Sequence, residues 1–146
     1  MPQVNQTSLM DDYLKYVEQY RVASSFLPEA GTLFPNQQVR GLLIELAFKA
    51  YLCASEKDVR QHDLLLLSNV AKQEGLVLTP EDISNVIIPT NNIYFEGGPW
   101  NSRYLCRYPK PDRGTIVTLT PTHSMIDNMV QRIILQTRAK LFTEQE

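Results

Sequence analysis

The segment from residue 39 to residue 67 constrains the fold more than any other part of this 146-residue chain. Its apolar residues recur with the i, i+3, i+4, i+7 spacing of a helix face that is turned toward a core. They are Val39, Leu42, Leu43, Leu46, Ala47, Ala50 and Tyr51. Glu45 and Lys49 lie inside this stripe, four residues apart with the acid first, so they can pair on one helix surface. The pattern predicts a buried helix over about 36–55 whose charged pair is partnered, because an unpaired buried charge is costly.

A polar break separates this helix from a second apolar helix that opens on His62 and Asp63. The preferred interpretation is structural: one of the two caps the free backbone N–H groups, and the carboxylate meets the positive helix end. The alternative is functional, with His62 as a general base or RNA contact that Asp63 orients. We expect this helix over about 63–74, with Gly75 at its end. Its four consecutive leucines, residues 64–67, predict a central position.

The chain begins with a third predicted helix, over about 8–27, which Ser8 caps and Pro28 closes. Its predicted apolar stripe is Leu9, Tyr13, Tyr16, Val17, Tyr20 and Ala23.

Two more helix starts combine a hydroxyl cap with a proline. Thr79 and Pro80, followed by two acids, begin a helix that Pro89 stops or kinks. Thr120 and Pro121 open the last helix, which we expect to become polar and fray from Gln136 onward.

The stretch 90–119 is predicted to be irregular, with a short strand over 115–119 that has no obvious partner. A loop this long is often functional. It holds the basic residues Arg103, Arg107, Lys110 and Arg113 among the aromatic residues Trp100, Tyr104 and Tyr108. This pattern is typical of a surface that binds phosphate and stacks bases. The preferred interpretation is structural: the aromatic rings pack on the helices and the arginines pair with nearby acids.

Composition limits the remaining function classes. The net charge is −2 and the sequence pI is about 5.7, so no global basic field favours nucleic acid. No apolar run approaches the length of a membrane span, and the first residues lack the pattern of a signal peptide, so we expect a cytoplasmic protein. Cys53 and Cys106 are expected to be reduced thiols, with a disulfide between them as the less favoured alternative. Two separated histidines are too few for a metal site, and no cofactor motif is present.

The sequence also resembles a family. The run E-L-A-F-K-A-Y-L at 45–52, followed by H-D-L-L-L-L at 62–67, is similar to the core of HEPN domains (higher eukaryotes and prokaryotes nucleotide-binding). Weaker similarity extends to 103–104 and 107–109, since many such domains carry Arg-Tyr-Pro before the last helix. The resemblance implies a single all-α domain over 1–146, an up-and-down bundle of four to five helices with a long loop before the last one. It also implies a homodimer. Family members include ribonuclease toxins and partners of small nucleotidyltransferases.

The ribonuclease members of this family carry an arginine four to six residues before a histidine. Here Arg60 is two residues before His62, and Arg113 is ten before His123, so the motif is absent. We therefore expect a non-catalytic or regulatory protein that binds RNA, a nucleotide or a protein partner such as a nucleotidyltransferase, as in toxin–antitoxin systems. The expected polar groove contains Glu45, Lys49, His62, Asp63, Arg103 and Arg107. One alternative is a divergent metal-independent ribonuclease with His62 as acid or base, and another is an interaction or scaffold protein without a ligand.

Overall fold

The computed structural model describes residues 2–28, 33–96 and 120–145, and every regular element within these ranges is helical. The predicted all-α class is therefore confirmed. No helix in these ranges is long and apolar enough to cross a membrane. The elements are α1 (Pro2–Ser25), α2 (Leu33–Ala54), α3 (Leu64–Gln73), a π-helical segment (Asp82–Ile87) that continues as α4 (Ile88–Tyr94), and α5 (His123–Gln145).

Helix α2 lies at the centre of the fold, because it contacts α1, α3, α4 and α5. Almost its whole circumference is buried from residue 43 to residue 54, including Leu43, Ile44 and Phe48. The prediction that α3 would be the central helix is wrong. Its residues Leu65 and Leu66 are 36% and 37% exposed. A helix with four leucines in a row still turns only one face to the core.

Helix α1 begins at Pro2 rather than at the predicted cap Ser8. Val17 of the predicted stripe is fully buried, but Leu9 and Tyr16 are 48% and 54% exposed, and the other buried residues of the helix are Met10 and Ser24. The buried positions recur every seven residues, which is the spacing of one helix face. The hydropathy pattern therefore gave a face displaced by about one residue.

Polar contacts join this face of α1 to α5. The Ser24 hydroxyl lies 2.8 Å from Nδ1 of His123, and Arg21 donates to Asp127 at 2.6 Å. Both contacts join the buried side of α1 to α5, while α1 packs mainly against α2.

Gly75 ends α3 as predicted. Its φ of 102° lies in the region that favours glycine. The two chain-reversing hydrogen bonds follow the Schellman pattern, from Gly75 N to Lys72 O and from Leu76 N to Ala71 O, each at 3.0 Å.

The predicted hydroxyl cap at Thr79 is confirmed. Asp82 N donates to Thr79 Oγ1 at 3.0 Å, and Thr79 N donates to the Asp82 carboxylate at 2.9 Å, which forms a reciprocal capping box. The helix does not stop at Pro89, although proline cannot donate the i→i−4 hydrogen bond. The turn before Pro89 is π-helical. The helix then runs to Tyr94, so the prediction that the irregular stretch begins at Thr90 is wrong for 90–94.

Helix α5 begins at His123, after Thr120 and Pro121. Thr122 caps the helix: its Oγ1 accepts a hydrogen bond from the backbone N–H of Met125 at 3.3 Å. The helix extends to Gln145, so the predicted fraying from Gln136 is wrong. Thr137 is fully buried there and donates to Ile133 O at 2.8 Å, which explains how a polar residue continues the buried face. The predicted strand over 115–119 and Cys106 lie outside the described residues.

Candidate functional site

A single buried carboxylate organises the most polar part of the core. Glu45 is 3% exposed and accepts hydrogen bonds from residues of three different parts of the chain. Tyr94 Oη donates to Oε1 at 2.9 Å, and Lys49 Nζ donates to Oε2 at 3.1 Å. Nδ1 of His62 lies 3.0 Å from Oε1 and 3.2 Å from Oε2. The predicted pairing of Glu45 with Lys49 is therefore confirmed, and its desolvation is offset by two further donors.

His62 belongs to this cluster and does not cap α3. Its side chain is 45% exposed, while its Nδ1 points to the buried Glu45. Because a carboxylate only accepts hydrogen bonds when it is ionised, the ring nitrogen facing it carries the proton. In the neutral imidazole this leaves the lone pair on Nε2, for which the described residues show no hydrogen-bond partner. A histidine fixed in this way can accept a proton or a hydrogen bond from a molecule outside.

Asp63 has a structural role, as the preferred interpretation predicted. Its Oδ1 accepts from the backbone N–H groups of Leu65 at 3.1 Å and Leu66 at 3.3 Å, which makes it the N-cap of α3. Asn91 of α4 supports the cap: its Nδ2 donates to Asp63 Oδ1 at 2.9 Å, and its Oδ1 accepts from Leu64 N at 2.8 Å. The alternative in which Asp63 orients His62 is wrong, because Glu45 holds the imidazole.

An open groove of about 520 Å³ lies beside this cluster. Leu9 and Tyr13 of α1 form one wall, and the C-terminal half of α2 with the connection to α3 forms the other. The lining from that second wall is Lys49, Leu52, Cys53, Glu56, Lys57, Asp58, Val59, Arg60 and His62. The groove therefore combines an apolar, partly aromatic surface with cations and a half-exposed imidazole.

Two weakly acidic groups in the groove are held in their neutral form. Burial, and next the nearby Cys53, raise the pKa of Tyr13. Burial, and next the nearby Asp58, raise the pKa of the Cys53 thiol. A thiol with a raised pKa is a poor nucleophile and a poor metal ligand at neutral pH. Within the described part of the chain, no group of three or more His, Cys, Asp or Glu side chains could hold a metal ion.

The charges along the rim are mixed. Lys57 lies 3.6 Å from Glu74, and the 90% exposed Arg60 lies 3.4 Å from Asp58. Exposed pairs of this kind are weak, so both cations can exchange their partners for an anionic ligand. The rim is therefore suited to a small anionic group and does not create a strongly positive surface.

Three of the six predicted groove residues come together: Glu45, Lys49 and His62. Asp63 is adjacent in sequence, but its carboxylate serves the helix cap, and Arg103 and Arg107 lie outside the described residues. Sequence reasoning missed Tyr94, because Pro89 was expected to end the helix or to kink it shortly before that residue. It also missed Gly41, a glycine inside an apolar helix and one turn before Glu45. Such a glycine usually marks a close approach of another group.

Comparisons with protein-family models, with curated proteins and with solved structures found no match to this chain. The chemistry of the site therefore rests on its geometry. An imidazole oriented by a buried carboxylate, with an ammonium beside it and two exchangeable cations on the rim, can bind a phosphate and can accept a proton.

Proposed function

We propose that the chain is a HEPN-like protein, dimeric and without catalytic activity of its own, that binds RNA or a nucleotide in the groove between α1 and the α2–α3 connection. One observation carries the proposal: the buried Glu45 gathers Lys49 and His62 at the edge of that groove. The HEPN-like family is proposed from the sequence motif that contains these same residues, and the dimer is what that resemblance implies.

The groove suits a ligand that has both a flat ring and a phosphate. Tyr13 and the neighbouring aliphatic side chains offer a surface on which a base can stack. Lys57 and Arg60 offer donors to phosphate oxygens, and the outer edge of His62 can accept a hydrogen bond from the ligand. A groove of about 520 Å³ has room for one nucleotide unit of a single strand but is too small for a duplex.

Binding should depend modestly on salt, because few cations take part. For a single strand that contacts two cations, Lys57 and Arg60, the slope of log K against log salt is roughly −1.4. A protein with a broad basic surface gives a much steeper slope. The measured slope therefore distinguishes local phosphate contacts in the groove from a general attraction to polyanions.

The direct experiment is fluorescence anisotropy with a short labelled single-stranded RNA, with nucleoside monophosphates as competitors. We expect Arg60→Ala and His62→Ala each to weaken binding, while Lys72→Ala, an exposed lysine of α3 away from the groove, leaves it unchanged. Equal affinity for wild type, Arg60→Ala and His62→Ala would exclude this groove. Capture of one stoichiometric protein, such as a nucleotidyltransferase, with no RNA affinity would favour an interaction protein instead.

A second candidate is a metal-independent ribonuclease, and the contact of His62 with Glu45 favours it. Nε2, which has no hydrogen-bond partner among the described residues, is the outer nitrogen of a carboxylate-oriented imidazole, which is the arrangement of a general base that removes the proton of a 2′-hydroxyl. Arg60 is the nearest arginine in sequence for the charge that develops on the phosphate. The test is cleavage of a mixed RNA pool in EDTA by wild type and by His62→Ala. Cleavage that requires His62 supports the enzyme, and intact RNA with both proteins supports the binding protein.

A further inference from the structure

We propose that Tyr94 and Gly41 are positioning residues, which hold the Glu45 carboxylate and through it fix the imidazole of His62 at the groove. The inference rests on the proposed function in one respect only, namely that the groove is where the ligand binds. The contacts that carry it lie behind the groove, on the side of Glu45 that a ligand does not reach.

Tyr94 reaches Glu45 from α4. The residue is 4% exposed, and its hydroxyl donates to Oε1 at 2.9 Å, the same oxygen that lies 3.0 Å from His62 Nδ1. One carboxylate oxygen therefore holds a phenol on its buried side and an imidazole on its exposed side. Because the phenol ring is buried among packed side chains, it fixes the direction in which the carboxylate offers its lone pairs to His62.

Gly41 allows the Tyr94 ring to occupy this position. A Cβ atom added to Gly41 would lie 2.2 Å from both Cγ and Cδ1 of the ring, and 2.8 Å from Cε1. These distances are far below contact distance, so with any other residue at position 41 the ring, or the helix that carries it, must shift. The ring is rigid, and its displacement is transmitted to the hydroxyl at its far end.

The register along α2 completes the arrangement. Gly41 and Glu45 are four residues apart and lie on one helix face, about 6 Å from each other along the axis. A tyrosine ring whose base rests on position 41 has the length to place its hydroxyl at position 45. Gly41, Tyr94, Glu45 and His62 thus form one chain of contacts from the core to the groove.

Two different substitutions should therefore produce the same change at His62. Tyr94→Phe removes only the hydroxyl, whereas Gly41→Ala keeps the hydroxyl and moves the ring. In either variant, Glu45 is free to turn toward Lys49, and the bond to His62 Nδ1 weakens. The neutral imidazole then returns toward the Nε2–H form that it prefers in water.

The readout is the tautomer of His62, measured from the ¹⁵N shifts and couplings of the imidazole rings at about pH 8.5, where histidine is ordinarily neutral. The chain has two histidines. His123, which lies against Ser24, is therefore the internal control. We expect the ratio of Nδ1–H to Nε2–H at His62 to fall by roughly two- to tenfold in each variant, the range of one net hydrogen bond. His123 should not change.

Tyr51→Phe is the matched control. Tyr51 is also buried, at 3% exposed, and its hydroxyl donates to Glu74 O at 2.9 Å, away from Glu45. Glu45→Gln shows that the signal reports the bond to the carboxylate. A His62 tautomer that responds to Glu45→Gln but stays at its wild-type value in Tyr94→Phe would overturn the inference. An equal response in Tyr51→Phe would also overturn it, because the effect would then be general loosening.

RNA affinity separates this inference from the proposed function. If wild type binds RNA and Tyr94→Phe binds it more weakly than Tyr51→Phe does, both ideas are supported. If wild type binds no RNA, the proposed function fails, while the tautomer measurement still decides whether Tyr94 and Gly41 position His62. Tyr94→Phe keeps the ring and so decides whether Tyr94 positions His62 even if Gly41→Ala does not fold.

Discussion

Replacing Glu45 by leucine removes the acceptor on which three donors of the site converge. The substitution places an apolar side chain of similar size at a position that is 3% exposed, so it leaves no large cavity. What it changes is the state of Tyr94, Lys49 and His62, each of which loses a hydrogen-bond acceptor.

The three losses differ in cost because the three donors differ in exposure. The hydroxyl of Tyr94, which is 4% exposed, cannot turn to water, and a buried unsatisfied group costs about 1–3 kcal/mol. The side chains of Lys49 and His62 are 16% and 45% exposed and border the groove, so together they add only about 0–1 kcal/mol. The expected loss of stability is therefore about 1–4 kcal/mol, or roughly 3–15 °C in the unfolding midpoint of a domain of this size.

Urea unfolding at neutral pH, followed by circular dichroism, measures this free energy. Glu18→Leu is the control: Glu18 forms an exposed pair with Arg21 at 2.8 Å, and its loss should change stability by less than about 0.5 kcal/mol. In the Glu45→Leu background, Tyr94→Phe should cost less than it does in wild type, with a coupling of about 1 kcal/mol. Equal stability of Glu45→Leu and Glu18→Leu, without coupling to Tyr94, would refute the idea that one carboxylate organises this region.

Three further outcomes follow from the described contacts. Burial raises the pKa of Asp82, but its two hydrogen bonds to Arg132 and the one from the backbone N–H of Thr79 outweigh this, so the pKa lies below its ordinary 3.8. The stability that this carboxylate contributes is therefore retained above pH 3.8 and lost as the pH falls below it. The acid limb of the stability–pH curve should flatten in Asp82→Asn. Gly75→Ala must hold a φ of 102° that alanine rarely adopts, and calorimetry should show a loss of about 1–2 kcal/mol. Asp63→Ala removes the N-cap of α3 and one partner of Asn91, and urea unfolding should show a loss of about 1–2 kcal/mol.

Local signals in the sequence predicted the parts of the fold that depend on neighbouring residues. The pairing of Glu45 with Lys49 needs only the i, i+4 spacing of a helix. The caps at Asp63 and Thr79 need only a short polar side chain before a helical segment, and Gly75 needs only the chain reversal after one. Each of these features was confirmed because the interacting atoms lie within a few residues of one another.

The features that the sequence did not predict depend on contacts between distant segments. Helix α1 packs against α2 and contacts His123 and Asp127 of α5, about a hundred residues away, which no periodicity in α1 can show. The role of Tyr94 was missed because a proline was read as the end or a kink of a helix that in fact passes it through a π-helical turn. Which helix face is buried and which residues meet at the site therefore depend on these long-range contacts as well as on the local pattern.

The central claim is that RNA or a nucleotide binds beside His62, and nuclear magnetic resonance tests it most directly. A short single-stranded RNA is titrated into ¹⁵N-labelled protein while the imidazole signals of His62 and His123 are followed together. The proposed site predicts that the His62 signals shift and saturate with one RNA per groove, while those of His123 stay in place. Saturable binding that leaves the His62 signals unchanged, or no binding at all, would contradict it.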